Sequence, residues 1–246
     1  MLSAAARHRL RTAQRVVALT GAGISAESGV PTFRDAQTGL WAKYRAEELA
    51  TPEAFLANPR LVWNWYVWRR QLTDAAQPNP GHAALAQFQE RFSAFTLITQ
   101  NVDGLHARAG SRDVIELHGS ITTTLCFDER TPVTDFADDG QSVPRCPRCG
   151  ALLRPGVVWF GESLPRAALE RAEQAAATCD VLFSIGTSSL VHPAAGLPLL
   201  AKQRGALLIE VNPSPTPLTP HADEVLSGPA GQVLPQLLQQ LGADLG

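Results

Sequence analysis

Four stretches hold residues whose types and spacing point to chemistry. His118 stands in "ELHGS", after the apolar run "VIEL" and before Gly119. A histidine there stands open at the end of a strand, and its ordinary pKa near 6.5 suits proton removal close to neutral pH. His82, after "PNPG", and His106, in "GLHARAG", sit at helix starts and read as structural instead. "GAGISA", Gly21 to Ala26, follows a β-rich run and matches the dinucleotide fingerprint, whose glycines let backbone N–H groups approach a pyrophosphate closely. The acid expected about 20 residues further on is missing, so any dinucleotide is not held as a standard dehydrogenase holds it. Cys146 and Cys149 form "CPRC", a pair that in a cytosolic chain suggests metal or redox chemistry more than a disulfide. "WNWYVWRR", Trp63 to Arg70, packs three tryptophans and a tyrosine beside two arginines. Alone it reads as a core-facing helix whose arginines reach back to water.

The elements that must position these residues are legible as short apolar runs. "RVVALT" ends at Thr20, "FTLITQ" at Gln100, "VIEL" at Leu117, "VLFSIGT" at Thr187 and "ALLIEV" at Val211. Continuous apolar character without alternation fits strands covered on both faces, as in a parallel sheet. "PRAALERAEQAAAT" is a helix between two of them. The fold expected is α/β: a doubly wound sheet with right-handed crossovers and ligands outside the carboxyl ends of the strands. Small or polar groups follow each strand there: "GAGIS", "NVDG", "HGS", "SS" and "NPS". Residues from about 37 to 88 are helical and aromatic-rich, and those from about 120 to 156 are rich in Asp, Pro, Gly and Cys. Both read as insertions that form a smaller second domain.

"GAGISAESGVPTFRD", "TQNVDGLHARAG", "ELHGS", "RPGVVWFGE", "GTSS" and "VNPS", in that order, resemble the sirtuin family of NAD-dependent protein-lysine deacylases. The resemblance implies a Rossmann-like NAD-binding domain from 1–36, 89–119 and 157–246. It implies a small domain made of a helical module at 37–88 and a zinc-ribbon-like module at 120–156. Catalysis would fall to His118, Asn101 and Asp103, with His118 activating a ribose hydroxyl once the acyl oxygen has displaced nicotinamide. Gly21, Ala22 and Gly23 would hold phosphates, and Gln100, Asn101, Val102 and Asp103 would form the nicotinamide-ribose pocket. Read without the resemblance, this last stretch is an Asx turn after a strand. Phe33, Arg34 and Asp35 match the mobile cofactor loop. Gly186, Thr187, Ser188 and Asn212 match contacts to the adenosine half, and Ala230 a backbone contact to adenine. Val158, Phe160, Gly161 and Glu162 lie in "VVWFGE", similar to the strand that pairs with an extended substrate peptide.

Two features stand out against the pattern that the resemblance implies. Sirtuins usually carry two CxxC pairs, but here the first reads "CFDE", leaving Cys126 with Glu129 in place of a second thiol. Cys126, Cys146 and Cys149 remain as metal ligands, completed by Glu129, by water, or without metal at all. Cys179, before "DVLFSIG", reads as a core residue. The second feature is Tyr66 and Arg69, which match the Tyr-x-x-Arg of a subclass favouring succinyl, malonyl and glutaryl groups over acetyl. Three residues apart on a helix, they share a face. Arg69 would take the distal carboxylate, Tyr66 would donate a second bond, and Ala50 would leave the pocket wide. Arg70 points elsewhere and receives no role.

Across 246 residues the formal charge is −2, with 45% hydrophobic and 18% charged residues. No basic footprint points to nucleic acid and no apolar run approaches a membrane span. A cytoplasmic, monomeric enzyme acting on acylated lysines of proteins is expected. Protein ADP-ribosyl transfer and a catalytically silent NAD-sensing module are the alternatives.

Overall fold

The apolar runs do assemble edge to edge. The computed structural model describes residues 1–32 and 44–243, so Phe33, Arg34 and Asp35 lie outside the described residues. The strands are β1 (Arg15–Thr20), β2 (Ala94–Thr99), β3 (Ile115–Glu116), β4 (Gly119–Cys126), β5 (Leu153–Val157), β6 (Val181–Ile185), β7 (Leu207–Asn212) and β8 (Glu224–Ser227). Six of them form a sheet of order β3-β2-β1-β6-β7-β8, parallel throughout, while β4 and β5 pair antiparallel in a sheet of their own. Chain order runs outward in both directions from β1 and β6. The crevice at their carboxyl ends is the topological switch point, where such sheets bind ligands.

Burial explains the sequence pattern. Every residue of β6 is buried, and in β1 only Arg15 is exposed. One face is covered by α1 (Ala4–Thr12), α6 (Pro80–Arg91) and α10 (Ala230–Ala243); the other is covered by α8 (Arg166–Thr178) and α9 (Leu197–Gln203). Cys179 is buried in that second layer, as expected, with its thiol pushed up to about 11 by burial. "VIEL" pairs only over Ile115–Glu116, and β8 was not expected. It is a short edge strand with an exposed Val225, carrying no apolar run to betray it.

The smaller layer pairs α3 (Ala46–Leu49), α4 (Pro52–Ala57) and α5 (Pro59–Ala75) with the β4–β5 sheet. Thr51 and Asn58 cap α4 and α5, each followed by proline at the first helical position. Ala50, Phe55, Trp65, Tyr66, Ile121 and Trp159 share one buried cluster, and Trp63 joins Cys126, Cys146 and Leu153 in another. Arg70 has a structural task after all. Its guanidinium donates to the carbonyls of Ile121 (2.6 Å) and Thr123 (3.3 Å) and to the Thr124 hydroxyl (3.2 Å), tying α5 to β4.

The expected boundary at residue 88 falls inside α6 and needs correcting. Ala84, Leu85 and Phe88 pack into the core of the large sheet, so this helix belongs with the sheet rather than with the helical module. Among the described residues, no helix is long and apolar enough to cross a membrane.

Candidate active site

A cleft of about 610 Å³ opens at the carboxyl ends of β1, β2 and β6 and is roofed by α5 and by the stretch after β5. Gly21, Ala22 and Gly23 form its floor, leading into α2 (Gly23–Ala26). Their glycines answer to protein packing as well as to ligand. A Cβ on Gly23 would stand 2.7 Å from the Gly186 carbonyl oxygen, and one on Gly21 2.8 Å from Thr187. The Gly21 and Gly23 amides are tied to the Ile185 and Gly186 carbonyls at 3.0 and 2.7 Å, so this loop is braced against the end of β6. Thr187 and Ser188 line the same wall.

Behind the loop lies a buried polar knot. Ser25 donates to Asp103 at 2.7 Å and accepts from the Asn101 amide at 3.1 Å. The second Asp103 oxygen takes the Leu105 N–H at 2.9 Å. This is the Asx turn that local reading allowed, and it opens α7 (Leu105–Arg108). Asn101 and Asp103 are both buried yet line the cleft, as do Gln100 and Val102. Gln100 reaches the Thr187 hydroxyl at 3.0 Å and thereby joins β2 to β6. Ser25 escaped the sequence reading. Its position in "GAGIS" looks generic until β1 and β2 become neighbours.

His118 ends the connection from β3. Gly119 turns the chain there with φ +73°, and a Cβ at that position would stand 2.2 Å from the Gly156 carbonyl oxygen. The His118 Nδ1 lies 2.8 Å from the Gln100 carbonyl, so it must carry the hydrogen and leave a lone pair on Nε2. Burial pulls the imidazole pKa down, against the bond to Gln100, which raises it. The group is therefore a neutral base near physiological pH. His82 and His106 read as structural, and their rings meet edge to face with centres 4.9 Å apart. Burial holds them down at about 4 and about 3. His106 bonds the Thr20 hydroxyl at 2.9 Å, and Thr20 reaches Thr99 at 2.8 Å, which accepts the Asn101 N–H at 3.0 Å.

The far wall carries Ala50, Tyr66 and Arg69. The tryptophans of "WNWYVWRR" divide. Trp65 lies beneath Arg69 with the guanidinium 5.0 Å from its ring centre, while Trp63 meets Arg70 at 5.2 Å on the other side. Burial lowers the Arg69 pKa and pushes Tyr66 up to about 12, so Tyr66 remains a neutral hydroxyl. Val158, Phe160, Gly161 and Glu162 line the cleft, but not as a free strand edge. The Val158 and Phe160 amides are taken by the His118 and Ala50 carbonyls, both at 2.9 Å. Glu162 is turned inward. It binds the fully buried Arg154 at 2.6 and 2.8 Å, Arg130 at 2.5 Å and the Trp159 N–H at 2.8 Å, and so braces the wall of the cleft.

Two further residues were expected on the adenosine side. Asn212 lines the cleft, but its amide donates to the Ser214 carbonyl at 2.7 Å, leaving the side-chain oxygen for a ligand. Ala230 begins α10 and its side chain is buried in the sheet core.

Away from the cleft, donor atoms of Cys126, Glu129, Cys146 and Cys149 lie within 4.8 Å of one another. Tetrahedral zinc with Zn–S near 2.3 Å requires ligands roughly 3.8 Å apart, and Cys126 and Cys149 already stand at 3.4 Å. The donor set fits a zinc ion that would link the two ends of the β4–β5 insertion. Arg148 holds the Glu129 carboxylate at 2.9 Å and would compete for it.

The comparisons agree with this arrangement. The Sir2 family model matches residues 21–193. An NAD-dependent protein deacylase of Methylococcus capsulatus is 54% identical over 240 residues, 94% of this chain and 94% of its own. The crystal structure of a Sir2 homologue in complex with NAD has a TM-score of 0.94 at 48% identity, covering 100% of this chain and 96% of that one. A mutant Sir2 homologue in complex with 2'-O-acetyl ADP ribose gives 0.93 at 48% identity, over 100% and 98%. The chain belongs to the Sir2 family.

Proposed function

We propose that the protein is an NAD-dependent protein-lysine deacylase and that its cleft favours acidic acyl groups, succinyl and malonyl above all, over acetyl. The observation that carries the deacylase reading is His118. It stands neutral, with Nδ1 engaged by the Gln100 carbonyl and Nε2 left to take a proton, in the cleft that also holds Asn101 and Asp103. When bound, NAD supplies the ADP-ribose that accepts the acyl group and releases nicotinamide. Gly21, Ala22, Gly23, Thr187 and Ser188 cradle phosphate and ribose groups. Asn101 and Asp103, oriented through Ser25, hold the nicotinamide end and balance positive charge there. Phe33, Arg34 and Asp35 belong to the cofactor loop in this reading.

Selectivity for acidic groups is supported by Arg69 and Tyr66 on one wall, beside the small Ala50. Bonds to a charged group contribute about 1.5–3 kcal/mol, or roughly ten- to a hundredfold in discrimination. The enzyme is read as cytoplasmic and monomeric, with acylated protein lysines as its partners.

Incubation of acyl-lysine peptides with NAD, followed by mass spectrometry, tests the reaction. Loss of the acyl mass together with O-acyl-ADP-ribose is the expected result. A protein gain matching ADP-ribose without acyl loss would replace deacylation by ADP-ribosyl transfer.

A further inference from the structure

The Tyr66 hydroxyl does not choose its direction freely. Trp159 Nε1 donates to the Tyr66 oxygen at 3.0 Å, inside a cluster where Trp159 is 1% and Tyr66 3% exposed. An indole nitrogen is a donor only, so the tyrosine must accept. With that lone pair engaged, the O–H turns away from Trp159 and serves a second partner. Arg69 lies one helical turn along and lines the same cleft.

Trp159 is itself clamped. The Arg154 guanidinium lies 3.5 Å from its ring centre, and its backbone N–H is bound by Glu162. Glu162 closes the circuit by holding Arg154 through two bonds. A cation against the ring draws density from the indole and strengthens its N–H as a donor, and a hydroxyl that accepts becomes a stronger donor in turn. An acidic acyl group needs a donor at its carboxylate and is repelled by a lone pair. Acetyl has no distal carboxylate and gains nothing from the arrangement.

Resting on the acidic-acyl reading of the cleft, we propose that Trp159 is a positioning residue for acyl selectivity. Its N–H, set by the Arg154–Glu162 pair, fixes Tyr66 as a donor toward the acyl carboxylate.

The test measures kcat and KM with NAD for matched succinyl-lysine and acetyl-lysine peptides, in the full chain and in Trp159→Phe, Tyr66→Phe and the double variant. Trp159→Phe should lower the succinyl-to-acetyl ratio of kcat/KM by about three- to tenfold, the share of a charge-assisted hydrogen bond that an unoriented hydroxyl forfeits. The loss should sit in the KM for succinyl peptide and should vanish when Tyr66 is already phenylalanine, since the two residues act as one unit. Equal losses on both substrates, or an effect that persists undiminished in the Tyr66→Phe background, would overturn the proposal. A wild type without succinyl preference would instead remove the acidic-acyl reading on which it rests. Should Trp159→Phe fail to fold, 3-benzothienylalanine at position 159 keeps the bicyclic ring without the N–H and gives the same readout.

Discussion

Glu162→Ala should destabilise the protein by about 3 kcal/mol, although this residue stands at the rim of the cleft. Arg154 has a side chain 1% exposed, and its charge is met by Glu162 at 2.6 Å. Breaking a buried pair from one side costs roughly 3–5 kcal/mol, because the remaining charge is left in a poor solvent. Arg154 keeps a bond to the Val157 carbonyl at 2.9 Å and its contact with Trp159, which favours the lower end of that range. The same contacts set the sign of the pH dependence. Burial alone would raise the Glu162 carboxyl, but the bonds from Arg154, the Trp159 N–H and Arg130 outweigh it and hold it at about 2 against an ordinary 4.5. Since the folded pKa lies below the unfolded one, this stabilisation is complete above about pH 5 and is lost as the pH falls toward 2. Urea unfolding at pH 7 and at pH 3 is the assay. The wild type should exceed Glu162→Ala by about 3 kcal/mol at pH 7 and by clearly less at pH 3. A difference below about 1 kcal/mol at pH 7 would place the pair among exposed ion pairs and show that Arg154 does not depend on Glu162.

His118→Ala should lower turnover by about a hundred- to ten-thousandfold, the usual share of a positioned base, while calorimetry finds NAD binding little changed. In the wild type, kcat/KM should fall in acid through a pKa below 6.5, because burial lowers that of His118 and protonation removes the base. Elemental analysis should find zinc on the purified protein. Glu129→Cys should retain it longer against a chelator than the wild type does, because Arg148 no longer competes for the fourth ligand; faster loss would exclude position 129 from the metal.

How much of this was legible from residues alone follows physical lines. The strands of the large sheet announced themselves because strands buried on both faces must be continuously apolar. Their carboxyl ends point to one edge, which places His118, Asn101 and Asp103 in a common cleft. Edge strand β8 gave no such signal, since one side of it faces water. Partnerships were less visible than positions. Nothing in "RPGVVWFGE" says that its arginine is buried under a tryptophan and that its glutamate turns inward to meet it. Ser25 became the link between Asn101 and Asp103 only through the pairing of β1 with β2. Arg69 and Arg70, neighbours in sequence, diverge because adjacent helical residues face about 100° apart. One reaches the cleft, and the other crosses to the carbonyls of β4.

The most direct test compares kcat/KM for succinyl-lysine and acetyl-lysine peptides of one sequence, with NAD, in the wild type and in Arg69→Met. A succinyl preference of roughly ten- to a hundredfold that collapses in the variant, while acetyl turnover survives, is the predicted result. Equal rates in the wild type, or a preference that Arg69→Met leaves intact, would contradict it.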